Sequence, residues 1–158
     1  MQNRTKSKIA LVVLCAVMSI NLAQSAIFGP YTPVSTTGTL TDNGCDGNGV
    51  TVEFDVTDDF TITDVNLGVY ITHTYRGDLV MSLTSPTRTQ DIKDRNGGDG
   101  SNNFNVLMDD ESVNGFGGNH ALSPPDPEFT NVAGPDPDGS MVPFYGDDAL
   151  GTWEFFVC

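Results

Sequence analysis

Val65-Asn66-Leu67-Gly68-Val69-Tyr70-Ile71-Thr72 runs directly into His73-Thr74-Tyr75-Arg76-Gly77-Asp78-Leu79. In the first half, apolar side chains recur at every second position (Val65, Leu67, Val69, Ile71), with small or polar residues between them. Side chains alternate faces along a β-strand, so this spacing predicts a strand over Ile62–Thr72 with one apolar face. The second half is polar, charged and carries a glycine, which reads as a turn. Leu79, Met81 and Leu83 then come back into phase and predict a second strand over Asp78–Thr84.

The same period recurs on both sides. Val52, Phe54 and Val56 share a face in Thr51–Val56, and Trp153, Phe155 and Val157 share one in Thr152–Cys158. Shorter strands are expected at Thr36–Thr41, Thr89–Lys93, Phe104–Met108 and Met141–Phe144. No helical 3.6-residue or heptad pattern follows residue 25. Asp94–Asn103 is rich in Gly, Asn and Asp and reads as loop. Ser112–Ser140 carries Pro124, Pro125, Pro127, Pro135 and Pro137, which excludes a central strand there, because proline cannot donate to a sheet ladder. A connection this long is functional or mobile in a compact domain. The expected fold is all-β: a jelly-roll-like antiparallel β-sandwich.

Arg4, Lys6 and Lys8 precede an apolar run from Ile9 to Ala23, and Ala23 and Ser25 are small residues where a signal peptidase reads. The run is broken by Ser19 and Asn21 and falls short of the about 20 apolar residues a membrane span needs. It reads as a secretory signal peptide over 1–25, cleaved after Ser25, with secretion or periplasmic delivery to follow. A lead-in segment (26–49) and one β-sandwich domain (50–158) remain, enough chain for a core.

Of the 7 basic residues, Arg76, Arg88, Lys93 and Arg95 stay with the exported part, against 21 acidic residues. Such a chain repels nucleic-acid phosphates and anionic membranes. An acidic, Gly- and Asn-rich exported domain is suited to Ca²⁺, a hard cation that takes several oxygen ligands; solubility alone is the plain alternative. Cys15 leaves with the leader. Cys45 and Cys158 form an even pair in an oxidising compartment, which favours an internal disulfide over two free thiols or a bond to another chain.

Three blocks give the chain a family likeness. The first is Val65 to Leu79, with its His73-Thr74 turn and Gly77-Asp78-Leu79 strand entry. The second is Leu83-Thr84-Ser85-Pro86. The third is Phe144 to Trp153, with Gly151-Thr152-Trp153 entering a late strand. In this order they resemble the P domain (P/Homo B domain) of subtilisin/kexin-like proprotein convertases. His73, Thr74, Gly77, Asp78, Leu79, Ser85, Pro86, Gly151 and Trp153 are the positions that carry the motif. Asp109-Asp110-Glu111 echoes an acidic pair of the family.

The chain departs from that pattern in three places. Thr87-Arg88-Thr89 follows Ser85-Pro86 where the family usually has Gly-Thr. The loop from Asn114 to Ser140 is unusually long. The family continues past the Trp strand to a final strand, whereas the sequence ends at Cys158, so either the N-terminal segment supplies that strand or the product is truncated. The resemblance implies a non-catalytic exported module that associates with or stabilises a subtilisin-like serine endopeptidase. A stand-alone extracellular adhesion or carbohydrate-binding module is the alternative.

His73, Asp78 and Ser82 or Ser85 have the residue types of a catalytic triad, but neither a Gly-x-Ser-x-Gly elbow nor a subtilisin-type Ser motif occurs. His73 is expected to bond its own turn. Arg76-Gly77-Asp78 spells an integrin tripeptide, yet it leads into a strand rather than forming a loop tip. Crowded carboxylates repel unless a cation separates them, so Asp109, Asp110, Asp147 and Asp148, with Asp99 or Asp94, are the expected Ca²⁺ ligands. The resemblance adds weight, since the family includes Ca²⁺-dependent proteins. Trp153 lies in phase with Phe155 and Val157 and is expected in the core.

Overall fold

A computed structural model of the chain describes residues 8–16, 25–40, 45, 49–95, 102–114, 129, 131–135 and 139–158, with backbone pairing alone for 8–16 and 25–28. Ten strands lie among the described residues: β1 (Lys8–Ala16), β2 (Ser25–Tyr31), β3 (Ser35–Gly38), β4 (Val50–Val56), β5 (Asp64–Ile71), β6 (Met81–Thr84), β7 (Thr89–Lys93), β8 (Phe104–Met108), β9 (Asn131–Ala133) and β10 (Gly151–Val157). They form two five-stranded sheets, ordered β2-β1-β5-β8-β9 and β3-β4-β10-β6-β7. All pairs are antiparallel except β8 with the short edge strand β9.

Period two explains the register. In the second sheet Trp153 stands opposite Phe54, and Phe155 lies between Val52 and Leu83. In the first, Leu67, Val69 and Ile71 stand opposite Met108, Val106 and Phe104. These side chains belong to a single buried cluster fed by both sheets. Burial of each large apolar side chain contributes about 1.5–3 kcal/mol. Trp153 is fully buried, packs on Phe144 at 5.1 Å between ring centroids, and donates its indole N–H to the Ala149 carbonyl at 2.8 Å.

The structure corrects two of the strands read from the sequence. Met141–Phe144 is not a strand: Val142–Phe144 forms a 3₁₀ turn with a proline in its first turn. The strand expected from Asp78 begins at Met81, because Arg76–Asp78 closes a 3₁₀ turn first. The lead-in is part of the sandwich, since β2 and β3 lie one in each sheet. The apolar run read as a leader provides β1, which pairs with both β2 and β5.

Cys45 and Cys158 are disulfide-bonded across 113 residues. The bond ties the end of β10 to the approach to β4, its neighbour in the sheet. In β7, Ile92 and Lys93 are both buried, because the pairing with β6 shifts register at this point. The Lys93 ammonium, fully buried, donates to the carbonyls of Leu79 and Asp94 at 2.9 and 2.8 Å.

Candidate functional site

The pairing of β5 with β8 gathers three carboxylates at one end of the first sheet. Leu67 faces Met108. Beyond this pair β8 gives way to a turn over Asp109–Ser112, closed by the Ser112 N–H on the Asp109 carbonyl, and the turn brings Asp109 and Glu111 to Asp64 at the start of β5. One carboxylate oxygen from each of Asp64, Asp109 and Glu111 lies within 4.8 Å of the other two. Asp109 is fixed by its own backbone: its N–H donates to the Ala133 carbonyl, and its carboxylate accepts the Glu111 N–H at 2.9 Å.

Two neighbours complete the cluster. The Tyr145 hydroxyl faces Asp64 Oδ1 at 3.2 Å and Glu111 Oε1 at 3.0 Å, so its single proton is shared between two acceptors. Asn66 donates Nδ2–H to Asp64 Oδ2 at 2.8 Å, while its Oδ1 is buried with no hydrogen-bond partner among the described residues. Burial, and then the adjacent Glu111 carboxylate, push the Asp109 carboxyl above its ordinary range, against the lowering effect of the Glu111 N–H. Burial and the charges of Asp64, Glu111 and Asp110 push the Tyr145 hydroxyl up, so it remains a donor at neutral pH.

The donor set is all oxygen. Ca²⁺ takes 6–8 such ligands at about 2.3–2.6 Å, so ligands on opposite sides of one ion stand about 5 Å apart. Three carboxylates inside that span, with an orphaned amide oxygen at Asn66, fit this ion.

At the turn between β5 and β6, His73 folds back on its own loop. Its Nδ1 faces the Tyr75 carbonyl at 2.9 Å and the Tyr75 amide at 3.2 Å. Its backbone N–H donates to Asn103 Oδ1, and its carbonyl accepts the Asn103 N–H. Arg76 is buried, with its guanidinium over the Phe104 ring at 5.7 Å, so the tripeptide Arg76-Gly77-Asp78 is not displayed at a loop tip. Ser85 Oγ accepts the N–H groups of Thr87 and Arg88.

The family model of the proprotein convertase P-domain matches residues 62–119. This stretch of the chain is similar to the P domain. A search of the curated proteins returned no match, and neither did a search of the solved structures.

The P-domain match contains Asp64, Asp109 and Glu111 and the motif positions His73 to Pro86; Gly151 and Trp153 lie beyond it. The second and third motif blocks nevertheless meet in space, because Gly151 packs against the ring of Pro86.

Only Asp109 of the expected Ca²⁺ ligands lies in the cluster. Asp110 accepts the Met141 N–H and the Ser140 hydroxyl, so it holds the incoming loop. Asp147 accepts from Thr87 and from two nitrogens of Arg88, which holds its carboxyl below the usual range. Asp148 accepts the Leu150 N–H, and Asp94 accepts the Arg95 N–H. Asp99 lies outside the described residues. The sequence reading missed Asp64, Asn66, Glu111 and Tyr145 as members. Asp64 and Asn66 sit at strand positions, and Tyr145 is 81 residues from Asp64.

Proposed function

We propose that this chain is an exported, non-catalytic P-domain module that docks on or stabilises a subtilisin-like serine endopeptidase. The match over residues 62–119 carries the reading. The P domain is the non-catalytic module of proprotein convertases. One observation supports export: the disulfide between Cys45 and Cys158 suits an oxidising compartment.

The module is Ca²⁺-stabilised on this reading, with Asp64, Asp109 and Glu111 as ligands and the Asn66 amide oxygen beside them. When bound, the ion would neutralise the crowded carboxylates and tie the start of β5 to the segment after β8.

The test is a pull-down from culture fluid with the tagged chain as bait, followed by a fluorophosphonate probe on the captured material. Capture of a labelled serine protease supports the proposal. Retention on immobilised glycans with no protease captured would replace it with a carbohydrate-binding role. Labelling of the bait itself would overturn its non-catalytic character.

A further inference from the structure

Strand β1 is the element of the sandwich that export would remove. Lys8–Ala16 lies inside the segment read as a leader, yet it sits between β2 and β5 and is antiparallel to both. It meets β5 over seven residues, from Lys8 opposite Tyr70 to Leu14 opposite Asp64, with no register shift. Among the described residues no other strand pairs with this side of β5, so removing β1 opens that backbone edge.

That edge lacks the usual protection. Natural edge strands carry lysine, proline or a bulge that discourages pairing. The β5 sequence, Asp-Val-Asn-Leu-Gly-Val-Tyr-Ile, has none of these, and its one charge stands at the first residue. Val65, Leu67, Gly68, Val69 and Ile71 are all buried. Strand β2 is a poor replacement. It is antiparallel to β1 and therefore parallel to β5, and it contains Pro30, which has no N–H to donate.

We propose that the exported form presents the β5 edge as an acceptor for an antiparallel strand supplied by a partner protein. This rests on the export reading and gives docking a physical mode, β-strand addition. The seated β1 defines the chemistry of the occupant: an extended segment, apolar and β-branched through its centre, without acidic residues. A neutral or basic strand also suits an exported body that keeps four basic residues against 21 acidic ones.

The experiment expresses the full chain, purifies the product from culture fluid and reads its N-terminus by intact mass. Hydrogen exchange at residues 64–71 is then followed with a synthetic Lys8–Ala16 peptide, Cys15→Ser, extended by two lysines for solubility. A copy with Val12→Pro is the control. We expect a product lacking β1 whose alternate β5 amides exchange rapidly, and slowing by roughly tenfold or more with the peptide but not with the proline control. If the product is unfolded alone, a gain of β-sheet signal on adding the peptide supports the proposal, and continued disorder overturns it. Slow exchange at 64–71 without peptide, or no response to it, also overturns it. A product that still carries residues 8–16 overturns it through the export reading, a failure that intact mass separates from the others. None of these outcomes touches the P-domain assignment.

Discussion

Arg88 holds both carboxylate oxygens of Asp147, with Nε 2.6 Å from Oδ2 and Nη2 2.8 Å from Oδ1. Thr87 adds its hydroxyl at 2.7 Å from Oδ2. The Thr87-Arg88 pair thus grips a closing segment 59 residues away. That segment is also held by its backbone, since Ile62 N–H donates to the Asp147 carbonyl.

This grip sets an acid-side dependence. The Thr87 and Arg88 bonds lower the Asp147 carboxyl below its ordinary 3.8. A depressed carboxylate contributes stability above its unfolded value and loses it as pH falls through the folded one. Arg88→Ala should lower the urea midpoint slightly at pH 7 and flatten its decline below about pH 4. Urea midpoints between pH 7 and pH 2 test this, and an unchanged acid limb would refute it.

Gly151 has φ +130° and lies against Pro86, so that a Cβ there would fall 2.7 Å from Pro86 Cγ. Gly151→Ala therefore meets both backbone strain and a clash, and should cost about 1–3 kcal/mol. Adding Pro86→Ala should restore the packing part of that loss and leave the conformational part. Denaturant midpoints of the two single variants and the double variant separate the terms.

Glu154 of β10 stands directly opposite Glu53 of β4 on the outer face. Like charges directly opposite each other in an antiparallel pair are destabilising. Glu154→Lys should stabilise by about 0.2–1 kcal/mol. The gain should shrink in 1 M salt, where the screening length is about 3 Å. Chemical denaturation at two salt concentrations reads both effects.

The Cys45–Cys158 bond closes a loop of 113 residues in separation. Chain-entropy estimates give about 4–5 kcal/mol for a loop of this size. Reducing the bond, or replacing both cysteines by serine, should lower the melting temperature by roughly ten degrees or more. Calorimetry with and without reductant checks this.

Asp109 points the other way from Asp147. Its carboxyl is raised, chiefly by burial and the neighbouring Glu111, so its charged form weakens the fold at neutral pH; the cost lifts as pH falls through the raised value. In chelator at pH 7, Asp109→Asn should melt above the parent chain by roughly a few degrees. With excess Ca²⁺ the parent chain should gain stability by mass action, on the order of 2–3 kcal/mol at a hundredfold excess over Kd. The variant should gain little. Identical melts of the parent chain with and without Ca²⁺ would remove the metal.

Period-two alternation at Val52 to Val56, Val65 to Ile71 and Trp153 to Val157 was enough to read the all-β fold, because burial on one face of a strand is a local property of spacing. The His73 turn, the disulfide pair and the first two P-domain blocks were legible for the same reason: short stretches and residue counts carry them. The carboxylate cluster was not. Asp64 and Glu111 meet where the turn after β8 comes against the start of β5, Tyr145 arrives from a distant 3₁₀ turn, and Asp147 is drawn to Arg88 instead. Which acids converge depends on which strands pair and in what register, and only long-range packing decides that. The place of Lys8–Ala16 beside β5 has the same origin: an apolar run announces that it will leave water, but the backbone edge that receives it is chosen by the fold.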